Sequence, residues 1–390
     1  MFFELQNKNE RDVYIKLLSA IGSLSELFSE NNSIPYMYYR LMENIFCKAF
    51  NANNLSRSDI SADASKGNFG IGLKTFLHGN GNTFQKVAEF NKDLCDFTNL
   101  KIDEKIIKIA MLRNERIEVT KRISGVSDMI YHLLTRSENK MSIYEENMDL
   151  INLNYIRIIK YDTKNIHFID GLHMYKFNVS KSTLFKMFKT YNPLYTFDIK
   201  ILQDPYEFLL NLNLNRYTID YNNVFFNNSI INTKPSEDFI VLPLYSPINN
   251  EVMPKSGLNQ WNANGRIRHP DEVYIPIPSW IHKLHEDFFP YNTNDFKSES
   301  FHVLLPNKKI LKMKVAQENG KALMSDPNKD LGEWILRDIL DLKEYEILTK
   351  NKLDLLGIDS VKLRKINSHY YELDFLESGS FEKFQEEREV

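Results

Sequence analysis

The 390-residue chain predicts two parts: a mixed-sheet α+β or α/β domain over residues 1–230, then an all-β barrel over residues 237–378. Three observations carry this. Helical periodicity marks residues 8–50 and 102–124, with strand-like runs between and after them. From Phe239 the chain turns to short strands: FIVLPLY, EVYIPIP, FHVLLP, ILKMKVA, VKLRKI and YYELDF. Turns rich in Gly, Asn and Pro separate them, which suits a barrel or sandwich. Between the two parts, residues 205–236 are rich in Asn and end near Pro235, a composition shift that marks a boundary.

Taken in order, residues 8–29 read as an amphipathic helix, with Val13, Leu17, Leu18, Ile21, Leu24 and Leu27 at helical spacing. A second helix spans 35–50, capped around Ser33 with Pro35 near its first turn. Tyr38, Leu41, Met42, Ile45 and Phe46 form its apolar side. Glu43 lies among them, either an exposed helical glutamate or an acid directed into a site. Phe69–Leu77 reads as a strand. Its side chains alternate, with Ile71 and Leu73 on one face and Gly70, Gly72 and Lys74 on the other, where the glycines leave room for something bulky. GNGN at 79–82 is a loop, and GNFGIG matches neither GxGxxG nor GxxxxGK, so no phosphate cradle is read there.

Residues 102–124 form a long helix with the apolar stripe Ile106, Ile109, Ala110, Leu112 and Ile117. Lys105, Lys108, Arg113, Arg116, Lys121 and Arg122 make its basic face, read as solvated, with a DNA-backbone contact as the alternative. NYIRIIKYD, NIHFIDG and YTFDIKIL read as strands within 153–201. FNVSKSTLFKMF (177–188) reads as a strand end passing into a helix capped by Ser180 or Ser182, with Lys181 and Lys186 as candidate phosphate contacts.

A net charge of -3 and a pI of about 6.3 show no gross basic excess. That does not exclude DNA, since a local basic face suffices for it. The two cysteines, Cys47 and Cys95, form no CxxC pair and have no histidine at ligand spacing, which argues against zinc and for a reducing cytoplasm. No apolar run approaches the length of a membrane span. The first residues, MFFELQNKNERD, lack a signal-peptide core.

The chemistry concentrates in residues 55–93, where Asp59, Asp63, Lys74 and Glu89 surround the strand. Carboxylates hold Mg²⁺ through oxygen. The metal polarises a phosphate and acidifies a bound water, which a lysine orients or activates. The stretch resembles the PD-(D/E)xK nucleases, whose motif is an aspartate, a hairpin and a strand carrying (D/E)-x-K. Asp63 stands eleven positions before Lys74, and Asp59 fifteen. Where that family has an acid two residues before the lysine, this chain has Gly72. The resemblance offers two substitutes: Glu89, standing for a glutamate that some members carry on a following helix, and Glu43 on the preceding helix. It implies Mg²⁺ held by Asp63 and Glu89, with Asp59 as a further candidate, and water activated by Lys74. The bland alternative is a surface hairpin with solvated charges.

Two loops of the second part are rich in groups that read bases. SGLNQWNANGRIRHPDE (256–272) holds Asn259, Gln260, Asn262, Arg266 and Arg268; AQENGKALMSDPNKDLGEW (316–334) holds Gln317, Asn319, Lys321, Asn328 and Lys329. Asn and Gln pair bidentately with adenine, Arg with guanine, and basic groups hold phosphates. These blocks resemble the C-terminal DNA-binding domain of NgoFVII-type restriction endonucleases. That domain is a B3-like pseudobarrel, related to the plant transcription-factor domain and to the effector domain of EcoRII. The resemblance covers roughly 238–376 and implies two arms, 256–270 and 316–331, gripping the major groove. The NgoFVII type cuts with a phospholipase D-like half built on HxK. Here His78, His132, His167 and His173 all lack a lysine two places on, so only the reader carries over.

The expected protein is a cytoplasmic, Mg²⁺-dependent type II restriction endonuclease acting on double-stranded DNA, without a membrane. A homodimer would match a palindromic site, and a cognate DNA methyltransferase would be its functional partner. The alternatives are a non-catalytic, sequence-specific DNA-binding regulator and a modification-dependent nuclease.

Overall fold

The computed structural model describes residues 1–28, 33–55, 60–90, 97, 99–211, 238–292 and 295–388. The chain opens with α1 (Phe2–Leu5), α2 (Lys8–Ser23) and α3 (Tyr39–Phe50). Next come β1 (Asn53–Asn54), β2 (Ala64–Lys66), β3 (Phe69–Leu77) and β4 (Asn82–Glu89). The long helix α4 (Ile102–Ser124) leads to β5 (Asp128–Ser137) and β6 (Lys140–Asn147). Then follow β7 (Arg157–Tyr161), β8 (Asn165–Ile169), β9 (Met174–Asn178), β10 (Thr183–Lys189) and β11 (Tyr195–Asp198).

Two sheets result. The first has the order β1-β2-β3-β5-β6-β11 and the second β4-β10-β9-β8-β7. β3 and β5 are parallel, as a strand–helix–strand crossover requires, while β2 and β3 form an antiparallel hairpin. Leu18 of α2 and Met42, Phe46 and Phe50 of α3 bury against Ile71, Leu73, Ile130 and Leu134 on one face of the first sheet. A polar network docks the N-terminus there. Glu145 accepts the Phe3 N–H at 3.0 Å and lies 2.8 Å from His132 Nδ1, whose Nε2 is 3.0 Å from the Tyr14 hydroxyl.

Helix α4 is the spine of the molecule. Glu104 accepts the Lys101 N–H at its start, and Gly125 ends it in the left-handed region at φ 64°. Ile106, Ile109 and Leu112 pack on the second sheet. Ile117 joins the core beneath the first sheet, and Val119 and Ile123 enter the core of the C-terminal half. One apolar stripe thus serves three cores.

The C-terminal half is a seven-stranded sheet. Its strands are β12 (Phe239–Pro243), β13 (Ile275–Pro276), β14 (Phe301–Leu304), β15 (Ile310–Ala316), β16 (Ala322–Ser325), β17 (Ile358–Asn367) and β18 (Tyr370–Glu377). The order is β12-β17-β18-β14-β15-β16-β13. Its two end strands lie beside each other, so the sheet curls into a nearly closed barrel around Ile240, Leu242, Val303, Leu323, Val361 and Phe375. The helix Lys350–Leu356 packs on α4 and on β17. All six strand runs expected from the sequence are in this sheet. No described helix is long and apolar enough to cross a membrane.

Several expectations need correction. Pro35 lies outside α3, which begins at Tyr39; among the expected apolar positions, Tyr38 and Val13 are exposed. FNVSKSTLFKMF does not enter a helix: TLFKMFK alternates with period two and forms β10, which pairs with β4 and β9. Lys186 is therefore buried against Glu146 rather than offered to phosphate, and burial lowers its pKa. Arg113 and Arg116 are not on a solvated face. Both are buried, Arg113 donating to the Tyr131 hydroxyl at 2.7 Å. Of the Asn-rich boundary, residues 212–237 lie outside the described residues, as do Asp59 and Cys95.

Candidate functional site

The hairpin brings Asp63 and Lys74 together. Asp63 extends the β2 ladder, its N–H donating to the Ile71 carbonyl at 2.8 Å. Its Oδ2 accepts the Leu73 N–H at 2.7 Å, which fixes the carboxylate over the start of the G-L-K step. Lys74 Nζ stands 3.9 Å from the same oxygen, near enough for attraction and too far for a hydrogen bond. Both side chains are partly exposed, at 25% and 29%, so water and substrate reach them.

Asp63 and Lys74 line a cleft of about 710 Å³ together with Glu43 and Glu89. Glu43 is not the exposed helical glutamate; it is 5% exposed and accepts from Arg40 Nη1 at 3.1 Å. Glu43 and Asp63 share one neighbour. The Cys47 thiol is pushed up to about 12, first by burial and then by the charges of these two carboxylates. Glu89 is on no helix. It ends strand β4 of the second sheet and is ion-paired with Lys86 at 2.8 Å. Among the described residues, no group of three His, Cys, Asp or Glu side chains converges closely enough to hold a metal ion.

The structure explains why no acid stands at position 72. At the two glycines this face of β3 is filled by the core, and it opens to the cleft only at Lys74. A Cβ at Gly72 would sit 2.8 Å from Met148 Cε and 3.2 Å from Tyr131 Cδ1. A carboxylate there would enter an apolar layer. At Gly70 the Met129 sulfur takes the same space.

Sequence reasoning missed the other cleft residues. Arg40, Lys86 and Arg116 line it, and so do Asp354 and Glu377 from the barrel half. Arg116 ties the walls together: its Nη1 donates to the Glu89 carbonyl at 2.7 Å and its Nε to the Leu355 carbonyl at 2.8 Å. The residues bridged are more than two hundred positions apart, so no local pattern signals the contact.

On the barrel, the ten expected base readers separate. Asn259 is fully buried. Its Nδ2 donates to the carbonyls of Leu348 (2.9 Å) and Met253 (3.2 Å), and its Oδ1 accepts the Leu348 N–H at 3.0 Å. It is a clamp inside the fold, not a base reader. Asn259→Ala is expected to cost about 2–4 kcal/mol in urea unfolding, because two backbone groups of Leu348 lose buried partners. The salt dependence of DNA binding should not change with it. Asn262 staples its loop to the Pro254 carbonyl at 3.2 Å.

The second loop is not one loop. The apolar run Ala-Leu-Met-Ser forms β16, fully buried, which places Gln317, Asn319 and Lys321 before that strand and Asn328 and Lys329 after it. The Asn319 backbone N–H donates to Asp295 at 2.9 Å. Lys329 is paired with Glu333 at 2.9 Å, a contact that raises its pKa, while Asn328 and Lys321 are exposed. Gln260, Arg266, Arg268 and Gln317 do come together. Gln317 Nε2 donates to Gln260 Oε1 at 3.2 Å, joining the two loops. The nearly buried Glu272 pairs with Arg266 and, at 3.7 Å, with Arg268 Nε; Gln260 Nε2 lies 3.5 Å from it. Glu272 was invisible as an organiser in the sequence because only the folded loop turns its carboxylate inward.

A nearly closed barrel presenting two loops of amide and guanidinium groups, cross-linked at their bases, has the build of a DNA-reading module. Comparison with protein families agrees: residues 230–367 match the model of the NgoFVII C-terminal B3-like DNA-binding domain. The chain thus carries a DNA-binding domain of the restriction-enzyme type. No curated protein matches the chain significantly.

Proposed function

We propose that this protein is a sequence-specific, Mg²⁺-dependent type II restriction endonuclease that hydrolyses phosphodiester bonds of double-stranded DNA. The observation that carries the proposal is the meeting of Asp63 and Lys74, 3.9 Å apart in an open cleft, within a chain that also bears a restriction-type DNA-binding domain. Asp63 and Glu43 fit a magnesium ion in donor type. Both offer carboxylate oxygen, and Mg²⁺ sites use one or two carboxylates, with water and substrate phosphate supplying the rest. Asp63 Oδ1 has no hydrogen-bond partner among the described residues. When bound, the ion neutralises charge on the scissile phosphate and lowers the pKa of a water. Lys74 orients that water and carries positive charge beside the attacked phosphorus. Leu73 N–H keeps the Asp63 carboxylate from turning away. Glu89 serves as a wall group with Lys86 and takes no metal role in this arrangement.

A plasmid or phage DNA digest tests the reading, run with Mg²⁺ against EDTA and followed by run-off sequencing of the ends. Discrete products at one sequence support it; intact DNA at every Mg²⁺ concentration ends it. The same reading implies a methyltransferase of matching specificity, and a pair of chains on a palindromic site. A second reading, a DNA-binding regulator without hydrolysis, is favoured by the absence of a group of three metal-ligating side chains among the described residues and by the acids Asp354 and Glu377 in the cleft. It requires metal-independent gel shifts and no cut product.

Glu272→Gln checks the reading face. Loss of this carboxylate charge frees Arg266, loosens Arg268, which keeps its bond to the Ala263 carbonyl, and removes one negative charge. Binding to random DNA should tighten slightly, while the preference for the cognate site over random DNA falls about tenfold. Competition binding measures both at once. An unchanged preference would show that these arginines do not read bases.

A further inference from the structure

Arg266 and Arg268 turn back onto Glu272, and this leaves the residue between them as the outermost side chain of the loop. Ile267 is 99% exposed. Arg268 is held further by the Ala263 carbonyl at 2.9 Å. At Gly265 the backbone passes through φ 112°, and nothing lies within 4 Å of where a Cβ would stand, so the tip looks into open space. A single exposed isoleucine on an ordinary surface carries no message. This one leads a loop of polar groups, and Gln260–Gln317 ties that loop to its neighbour.

The edges of base pairs in the major groove display donors, acceptors and one apolar group, the 5-methyl of thymine. We propose that Ile267 is a specificity-determining residue that packs on the 5-methyl group of a thymine in the recognition site, beside the base pair addressed by Arg266. The inference rests on the DNA-reading assignment of these loops and names what one position of the site must be. Glu272 sets the geometry: it pairs with the still exposed Arg266 and with the largely buried Arg268, so both guanidinium groups are directed to the carboxylate and Ile267 stays uncovered.

The test uses the full chain in EDTA, so that binding is read without cleavage. Sites are first selected from a randomised duplex library. Each thymine common to them is then replaced singly by deoxyuridine, which removes only the methyl group. At one position deoxyuridine should weaken wild-type binding about fourfold, the value of one buried methyl-sized group. Ile267→Ala should bind the thymine and deoxyuridine duplexes equally, at the level of wild type on deoxyuridine, and Ile267→Val should fall between. The position is fully exposed, so these variants fold. Wild-type indifference to deoxyuridine at every thymine overturns the proposal while leaving the DNA-reading assignment standing. A uniform loss in Ile267→Ala on both duplexes, together with a smaller DNA bend, overturns it in favour of a wedge between base steps. A library that yields no enriched sequence overturns the DNA-reading assignment, and this proposal with it.

Discussion

Lys74→Ala is expected to bind cognate DNA as tightly as wild type and to cut it about a hundred- to ten-thousand-fold more slowly with Mg²⁺, the range for losing a group that acts on the attacking water. The effect falls on the rate and not on binding because Lys74 lines a cleft to which none of the reading-loop residues contributes. The ammonium stands over a carboxylate that is itself fixed by Leu73 N–H, so its place is set by two strands and not by a mobile loop. Alanine keeps the strand and its ladder to β5. Asp63→Asn should match it in rate loss, since it removes the charge of an expected metal donor. Gel shifts and single-turnover digests on one preparation separate the two quantities. A Lys74→Ala enzyme that cuts at the wild-type rate would place the chemistry elsewhere.

Gly72→Glu, which writes the nuclease family's missing acid into this chain, is expected to destabilise the fold by about 3–5 kcal/mol and to gain no activity. The side chain would leave β3 on the face packed by Met148 and Tyr131, with Phe188 stacked edge-on against Tyr131 at 4.9 Å. A carboxylate there would have to displace Met148 and the Tyr131 ring, and the cations nearest that ring are already engaged, Arg113 with the Tyr131 hydroxyl and Lys186 with Glu146. Gly72→Ala should cost only about 1 kcal/mol, because the nearest atom, Met148 Cε, is the end of a flexible side chain. Urea unfolding of both variants gives the comparison. Wild-type stability in Gly72→Glu, with faster cutting, would show that the acid reaches the site after all.

The two results bear on how far the residues alone go. The hairpin was legible because its signals are local: alternation in Phe69–Leu77, and an aspartate at the spacing of a hairpin partner. The long helix was legible for the same reason, down to its termini. Residues 177–188 were not, since serines read as helix caps compete with a period-two pattern that only the neighbours β4 and β9 reward. Glu89, offered as the substitute for an acid that relatives of the nuclease type carry on a helix, ends strand β4, and no local signal shows that β4 crosses into a second sheet. In the barrel, the strands were legible, but a polar residue in a loop looks the same whether it faces a base or a backbone carbonyl. Asn259 and Gln260 are adjacent in sequence; one is a buried clamp, the other a half-buried bridge between loops.

By itself the sequence determined the strand inventory of the barrel and the pairing of one aspartate with one lysine on a hairpin, because each follows from periodicity and spacing within a few residues. Tertiary structure alone decided which acids share a cleft, that Glu43 lines it with Asp63 while position 72 is packed by the core, and that Arg116 joins the halves. It also decided that two arginines fold back to leave an isoleucine foremost. Those outcomes depend on which face of one element lies against another, and side-chain direction is fixed only when distant segments compete for the same buried volume.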